Sequence, residues 1–367
     1  MHIITSLGYG GAEKVCIDLC NALSEHNEHQ VYLISLFDHT PAQRPLSSLS
    51  ETVIFKSVGK KTGLDLSVIF KLDKLLREIQ PDVVHTHLTG LFFSIRFILR
   101  NNNRKRIPFI HTLHNPAERD VHPVFNLFHK YLFRKKLAKP VALSEEIRQT
   151  VIAYFKVDTV AVINNGIPFP QLSSKYGTVV QEIESYKLNA QTKVFINLAR
   201  IHPQKNQEML IKVFNKLNDN NVILLILGTC AVKDKILLDQ LQARAKPHIH
   251  ILGKKDNPID YLAQADAFCL SSHYEGLPIS LLEALSLRKI PICTPVGGIP
   301  SVISDGSNGL LSASNSEEDY YNKILHFLNM SPASVTEMQE LGYKSFKANF
   351  TMAACADAYI KLYKNLL

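Results

Sequence analysis

Ser272-His273-Tyr274-Glu275-Gly276-Leu277-Pro278-Ile279-Ser280-Leu281-Leu282-Glu283-Ala284 follows an apolar run over 266–270 and has the pattern of a strand giving way to a helix. Gly276 permits a tight turn. Pro278 suits the first helical position, where its missing N–H costs nothing. The unpaired amides at a helix start, with the positive end of the helix dipole, make an anion site. Glu275 stands just before that start and Glu283 lies inside the helix. A carboxylate accepts hydrogen bonds in pairs, which suits the vicinal hydroxyls of a sugar or ribose. The stretch therefore offers amides for phosphate and two acids for hydroxyls. The plainer reading is a strand–loop–helix with a solvated Glu at each end, and the stretch alone does not choose between them. Spacing does set aside a glycosidase pair. Such carboxylates stand roughly 5–9.5 Å apart, whereas eight residues of helix rise roughly 12 Å.

Outward from this stretch the chain alternates. Strands are predicted over 2–6, 31–36, 53–57, 82–85, 108–113, 141–144 and 159–163, with helices over 11–25, 66–79, 91–99, 126–138 and 145–155. A polar stretch, 171–191, reads as the place of a linker. Strands then resume over 194–199, 222–227, 250–252, 266–270 and 291–294, with helices from 207, over 236–245 and from Pro278. Helices over 317–328, 334–348 and 352–363 end the chain. Apolar strands alternating with helices predict parallel sheets covered on both faces. The expectation is an α/β protein of two doubly wound, Rossmann-like domains, 1–170 and 171–351, with the C-terminal helix 352–367 packing back on the first. Ligand is expected in the cleft between facing strand ends.

Two further loops carry candidate chemistry. Leu7-Gly8-Tyr9-Gly10-Gly11-Ala12-Glu13 is a glycine-rich turn between strand and helix, a geometry that brings backbone close to phosphate. It is not G-x-G-x-x-G, and Phe37 precedes Asp38 where a ribose-binding acid would close the next strand. A dinucleotide-dependent dehydrogenase is disfavoured on both counts. Arg200 and Lys205 follow the first strand of the second half. A planar fork and a point charge together suit a diphosphate; the alternative is two exposed basic residues on a loop.

Size and composition narrow the class. The 367 residues suit two domains. No apolar run reaches the roughly 18 residues needed to span a bilayer, and the N-terminus lacks a signal-peptide pattern. Six cysteines show no C-x-x-C spacing; Cys16 and Cys20 read as buried thiols, and a reducing cytoplasm is expected. The net charge is +8, and about six of those positives fall in the first 170 residues. They cluster as Arg96, Arg100, Arg104, Lys105 and Arg106, then Arg134, Lys135 and Lys136. Phe92, Phe93, Ile95, Phe97, Ile98 and Leu99 are interleaved with the first group. That segment reads either as a core helix with a solvated basic face or as a surface lying peripherally on an anionic membrane. No nucleic-acid reader motif accompanies the charge.

Taken together these residues resemble the family 4 glycosyltransferases, retaining transferases of the GT-B fold that use nucleotide-sugar donors in bacterial polysaccharide and glycan assembly. The resemblance runs over nearly the whole chain. Its carriers are Gly10-Gly11-Ala12-Glu13, Thr112-Leu113-His114, Leu143-Ser144, Asn165-Gly166-Ile167, Arg200 with Lys205-Asn206, Glu275-Gly276-Leu277-Pro278 through Glu283, Pro295-Val296-Gly297-Gly298-Ile299-Pro300, and Asn308-Gly309-Leu310-Leu311. It implies that Arg200 and Lys205 neutralise the donor diphosphate and that Glu283 holds the ribose. Glu275 would hold hydroxyls of the donor sugar, helped by the amides of Gly276 and Leu277. Gly10 and Gly11 would approach the phosphates, and His114 would contact the transferred sugar, with His111 a rival. His85 and His87 read as packing or cleft wall. The resemblance implies no metal and no cofactor beyond the nucleotide-diphosphate sugar, and a glycan or lipid-linked saccharide acceptor; the basic, aromatic segment from Leu91 to Arg106 adds the expectation of work at the inner face of the cell membrane.

The sequence departs from the family pattern at Ser301, where Glu is common, and at Leu227-Gly228-Thr229-Cys230, which lacks a second Gly and a Pro. Rival readings are a nucleotide-sugar epimerase or hydrolase of the same fold, and a binding protein without turnover.

Overall fold

The computed structural model describes the chain apart from residues 27, 42, 101–106, 121–122 and 218–220, so Arg104, Lys105 and Arg106 lie outside the described residues. The chain forms two units, Met1–Pro168 with Phe350–Leu367, and Phe169–Asn349.

The first unit holds β1 (His2–Ile4), β2 (Tyr32–Ser35), β3 (Ile54–Ser57), β4 (Val84–His87), β5 (Phe109–Leu113), β6 (Lys139–Ala142) and β7 (Ala161–Val162). They form one parallel sheet in the order β3-β2-β1-β4-β5-β6-β7. Successive side chains point to opposite faces. Ile3, Ile34, Phe109 and Ala142 enter one apolar core, and their neighbours Ile4, Leu33, Ile110 and Val141 enter the other. The second core is closed by Cys355, Ala356 and Tyr359 of the helix Met352–Lys364.

The second unit holds β8 (Lys193–Leu198), β9 (Val222–Leu227), β10 (Ile249–Gly253), β11 (Ala267–Leu270), β12 (Ile290–Cys293) and β13 (Leu310–Leu311), ordered β10-β9-β8-β11-β12-β13 and again all parallel. Both units therefore have the expected α/β architecture. In each the strand order reverses at one place, between β1 and β4 and between β8 and β11. Ligands of open parallel sheets bind outside the carboxyl ends of the strands at such a reversal.

Four local expectations are corrected. The polar stretch assigned to a linker contains the helix Tyr176–Tyr186, which belongs to the second unit and buries Val179 and Ile183 one turn apart. β4 begins two residues later than expected, so His87 is a strand residue. The helix expected over 91–99 is two short helices, Gly90–Phe93 and Ile95–Arg100, interrupted at Ser94, whose hydroxyl donates to the Gly90 carbonyl. Pro278 caps the helix Ile279–Ser286 from an extended conformation rather than forming its first turn.

Candidate active site

Three loops meet at the carboxyl ends of β8, β11 and β12. After β8, Pro203–Lys205 makes a single tight turn, and Asn206 takes left-handed backbone (φ 49°) before the helix Gln207–Lys216. Asn tolerates that conformation better than most residues. The turn is stitched to the loop after β11. Ser271 Oγ donates to the carbonyls of Lys205 (3.1 Å) and Asn206 (2.9 Å), the His273 amide donates to the Gln204 carbonyl (2.8 Å), and Gln204 Nε2 donates to the Tyr274 carbonyl (2.8 Å). The loop after β12 completes the frame. Thr294 Oγ1 donates to the Ser272 carbonyl (2.8 Å), and the Gly298 amide donates to the Gly276 carbonyl (2.7 Å).

This frame joins Lys205 to Glu275. Their charged atoms are 2.5 Å apart, and the side chains are 15% and 6% exposed. Ser272 Oγ donates to the same carboxylate oxygen at 2.5 Å. The plainer reading of a solvated Glu275 therefore fails: the acid is buried and neutralised by the lysine. Arg200 is exposed, and its guanidinium has no ion-pair partner among the described residues; Gln207 Nε2 holds its carbonyl at 2.8 Å. Glu283 is half-buried on the helix Ile279–Ser286. Gly276 does not adopt left-handed backbone, so the tight turn assigned to it is not what requires glycine in this loop. That requirement falls on Gly297, at φ 55°, where an added Cβ would stand 1.9 Å from the Glu275 carbonyl oxygen. The amide of Gly276 makes no hydrogen bond among the described residues.

In the first unit the helix Gly11–Ser24 starts from Gly10, and the Glu13 carboxylate folds back to 2.2 Å from where a Gly10 Cβ would lie. The positive end of that helix thus has a carboxylate beside it. His114 follows β5. Its amide and that of Asn115 donate to Asp120 Oδ1 (2.7 and 2.9 Å), and its Nε2 lies 3.1 Å from His87 Nδ1. Burial lowers the His114 pKa to about 4. Burial pushes Asp120 up to about 7 against those two amides, which favour its charged form. His111, the rival, is fully buried; its ring packs against His129 and Phe133, and its Nδ1 pairs with Thr86 Oγ1 (2.9 Å). It is a core residue.

Nitrogens of His2, His85 and His87 lie within 4.8 Å of one another, close enough to share an ion, as do ligand atoms of His2, Cys16 and Cys20. His85, however, pairs with Tyr363 OH and Thr112 Oγ1, both at 2.7 Å, and His87 pairs with His2 and His114. Coordination would break those bonds. Sequence reasoning missed Ser271, Ser272, Thr294, Asp120 and the pairing of His87. Only Ser271-Ser272, directly after a predicted strand, carried a local signal.

In the basic, aromatic segment most of the described apolar residues are buried. Leu91, Phe92, Phe93, Phe97 and Ile98 lie in the core, and Arg96 pairs with Asp73 at 3.2 Å. Leu99 is exposed and Ile95 half-buried, and Arg104, Lys105 and Arg106 lie outside the described residues. A different helix, Pro123–Arg134, exposes Val124, Leu127, Phe128 and Tyr131.

Residues 9–169 match the family model described as Glycosyltransferase Family 4, and residues 180–345 match that described as Glycosyl transferases group 1. The chain belongs to the family 4 glycosyltransferases. This glycosyltransferase is similar to an uncharacterized glycosyltransferase of Methanocaldococcus jannaschii, 29% identical over 61% of this chain and 58% of that protein. It is also similar to the Escherichia coli UDP-Gal:alpha-D-GlcNAc-diphosphoundecaprenol alpha-1,3-galactosyltransferase, 26% identical over 71% of this chain and 70% of that one. Among solved structures it resembles Anabaena Alr3699/HepE in complex with UDP, with a TM-score of 0.83 at 15% identity over 99% of both chains. That likeness carries the fold, the GT-B architecture of two parallel-sheet α/β domains.

Proposed function

We propose that the protein transfers a sugar from a nucleotide-diphosphate donor to a glycan or lipid-linked saccharide acceptor with retention of anomeric configuration. The observation that carries this reading is the buried ion pair of Lys205 and Glu275 at the strand reversal between β8 and β11, with exposed Arg200 on the same loop after β8. Arg200 and Lys205 face the charge that develops on the departing diphosphate, the kind of preorganised stabilisation worth most in a transition state. Glu283 holds the ribose, Glu275 orients the donor sugar, the amides of Gly276 and Leu277 assist it, and Gly10 and Gly11 approach the phosphates. His114 contacts the transferred sugar. Because side chains supply the positive charge, transfer proceeds without a metal and survives EDTA; loss of activity restored only by Mg²⁺ or Mn²⁺ would refute this.

A lipid-linked acceptor is supported by the name of the Escherichia coli relative, which acts on a diphosphoundecaprenol-linked sugar. Among the described residues no helix is long and apolar enough to cross a membrane. Val124, Leu127, Phe128 and Tyr131 lie on one helical face at spacings of three and four residues, beside Lys130, Lys135 and Lys136. An exposed apolar stripe with a basic margin suits peripheral contact with an anionic leaflet at the cytoplasmic face. Leu127→Glu should abolish the preference for anionic over neutral vesicles; wild-type protein partitioning equally onto both would refute the contact.

The direct test incubates protein with nucleotide-sugar donors and lipid-linked acceptors. Ligand bound only by the folded state raises apparent stability, so a thermal-shift screen of nucleoside diphosphates, UDP first, selects the donor. Sugar transfer without epimerised donor or bulk hydrolysis is the expected result.

A further inference from the structure

His2, His87 and His114 form a chain of imidazoles through the first unit. His2 Nδ1 lies 3.3 Å from His87 Nε2, and His87 Nδ1 lies 3.1 Å from His114 Nε2. All three rings are buried, and burial holds each below the ordinary imidazole pKa. They are therefore uncharged at neutral pH. An uncharged imidazole carries one N–H and one lone pair.

That constraint couples the three rings. If His2 donates from Nδ1, His87 accepts at Nε2 and must donate from Nδ1, and His114 then accepts at Nε2 and keeps its proton on Nδ1. If His114 donates from Nε2, His87 accepts at Nδ1 and donates from Nε2, and His2 accepts at Nδ1. In either case all three share one tautomer. His85 does not branch the chain, because Tyr363 and Thr112 engage both its nitrogens.

Both ends of the chain are open. His114 Nδ1 has no partner among the described residues, yet it is not among the buried polar atoms that lack one, so it reaches the surface beyond the carboxyl end of β5. At the other end, His2 lines a cavity of about 340 Å³ at the amino-terminal edge of the sheet, with Asp82, His85 and Tyr363.

We propose that His87, seated by His2, is a positioning residue for glycosyl transfer: it holds His114 through Nε2, so that Nδ1 is the one nitrogen offered to the donor sugar. This rests on the reading of His114 as a sugar contact. The tautomer of His114 is then set jointly with the two rings behind it. A sugar hydroxyl donating to Nδ1 selects the Nε2–H form of all three rings; a sugar oxygen accepting from Nδ1 selects the Nδ1–H form. Without His87 the ring of His114 loses both its orientation and its defined tautomer. A contact that orients the reacting sugar acts on kcat more than on KM.

Nitrogen NMR of histidine-labelled protein reads each tautomer without depending on turnover. His2, His87 and His114 are expected to show one common ratio of the two forms, and His87→Leu should uncouple the His114 ratio from that of His2. His87→Leu should lower kcat by roughly tenfold to a hundredfold, the scale of a small misplacement at a reacting centre, with donor KM little changed. His87→Asn, whose amide offers a hydrogen bond from a similar position, should recover a defined His114 form and part of kcat. Different ratios among the three wild-type rings, or a His114 ratio that still follows that of His2 in His87→Leu, would overturn the proposal. Normal turnover in His114→Ala would overturn the sugar-contact reading, and with it the catalytic role of His87, while the common tautomer would still stand.

Discussion

Gly297→Ala tests whether the frame around Glu275 governs activity. Gly297 sits at φ 55°, and an added Cβ would lie 1.9 Å from the Glu275 carbonyl oxygen, where ordinary contact begins at 3.4 Å. The two loops must separate by about 1.5 Å to restore contact distance. Left-handed backbone costs a non-glycine residue roughly 1–2 kcal/mol, and overpacking a tight site adds roughly 1–3 kcal/mol. The expected destabilisation is thus about 2–5 kcal/mol. Gly306→Ala is the control: its φ is 76°, but nothing lies within 4 Å of the added Cβ, so only the backbone cost of about 1–2 kcal/mol applies. The protein has no tryptophan, so unfolding in urea is best followed by circular dichroism. A shift on this scale beside the donor sugar should also cost about a hundredfold in turnover. If Gly297→Ala is no less stable than Gly306→Ala and keeps its turnover, the packing of the 297–298 turn on Glu275 does not position the site.

Lys205→Ala strands a buried Glu275 and should destabilise by about 3 kcal/mol, besides lowering turnover by roughly 10²–10³. Exposed Arg200 should show the same loss of turnover on Arg200→Ala with stability changed by less than about 0.5 kcal/mol; equal urea midpoints for the two variants would contradict the ion pair. Glu275→Gln releases Lys205 and should tighten binding of free nucleoside diphosphate while lowering kcat, whereas Glu283→Gln should weaken that binding, a contrast that calorimetry reads directly. Stability should fall as pH drops from about 6.5 toward 4, because burial holds His2, His85, His87, His111, His114 and His129 below 6.5 and the unfolded chain binds protons that the folded one does not. Asp120, raised to about 7, works the other way, since folding lets it keep a proton that the unfolded chain holds only below about 3.8. It offsets one of the six, so net uptake on unfolding should be on the order of five protons near pH 5; flat stability between pH 7 and 5 would refute the buried neutral cluster.

Much of the architecture was legible because parallel strands buried on both faces read as apolar runs. Val222–Leu227 is six apolar residues in succession and is a strand over those residues. The helix Tyr176–Tyr186 was hidden because only Val179 and Ile183 mark its buried side within a polar stretch. Pro258–Gln264 and Ala117–Asp120 are too short to show a period. In the site, Arg200, Lys205 and the two glutamates were visible as chemistry at strand ends, but their pairing was not. Lys205 and Glu275 are 70 residues apart, and His87 and His114 are 27 apart. Such pairs are made by strand order, which no local pattern records. His87 looked like a flanking residue because β4 was placed two positions early.

The first unit is discontinuous: Ile167 pairs with Thr351, its amide bonding to the Phe350 carbonyl and its carbonyl accepting from Met352. During synthesis this reverses the order in which the two units can mature. Residues 169–349 are contiguous and can fold once they leave the ribosome. The earlier-made unit must wait for its closing helix, and until Cys355, Ala356 and Tyr359 arrive the apolar surface of Ile4, Leu19 and Ile110 stays uncovered. A chain truncated after residue 349 would therefore keep every residue of the second unit and leave the first with an uncovered apolar face.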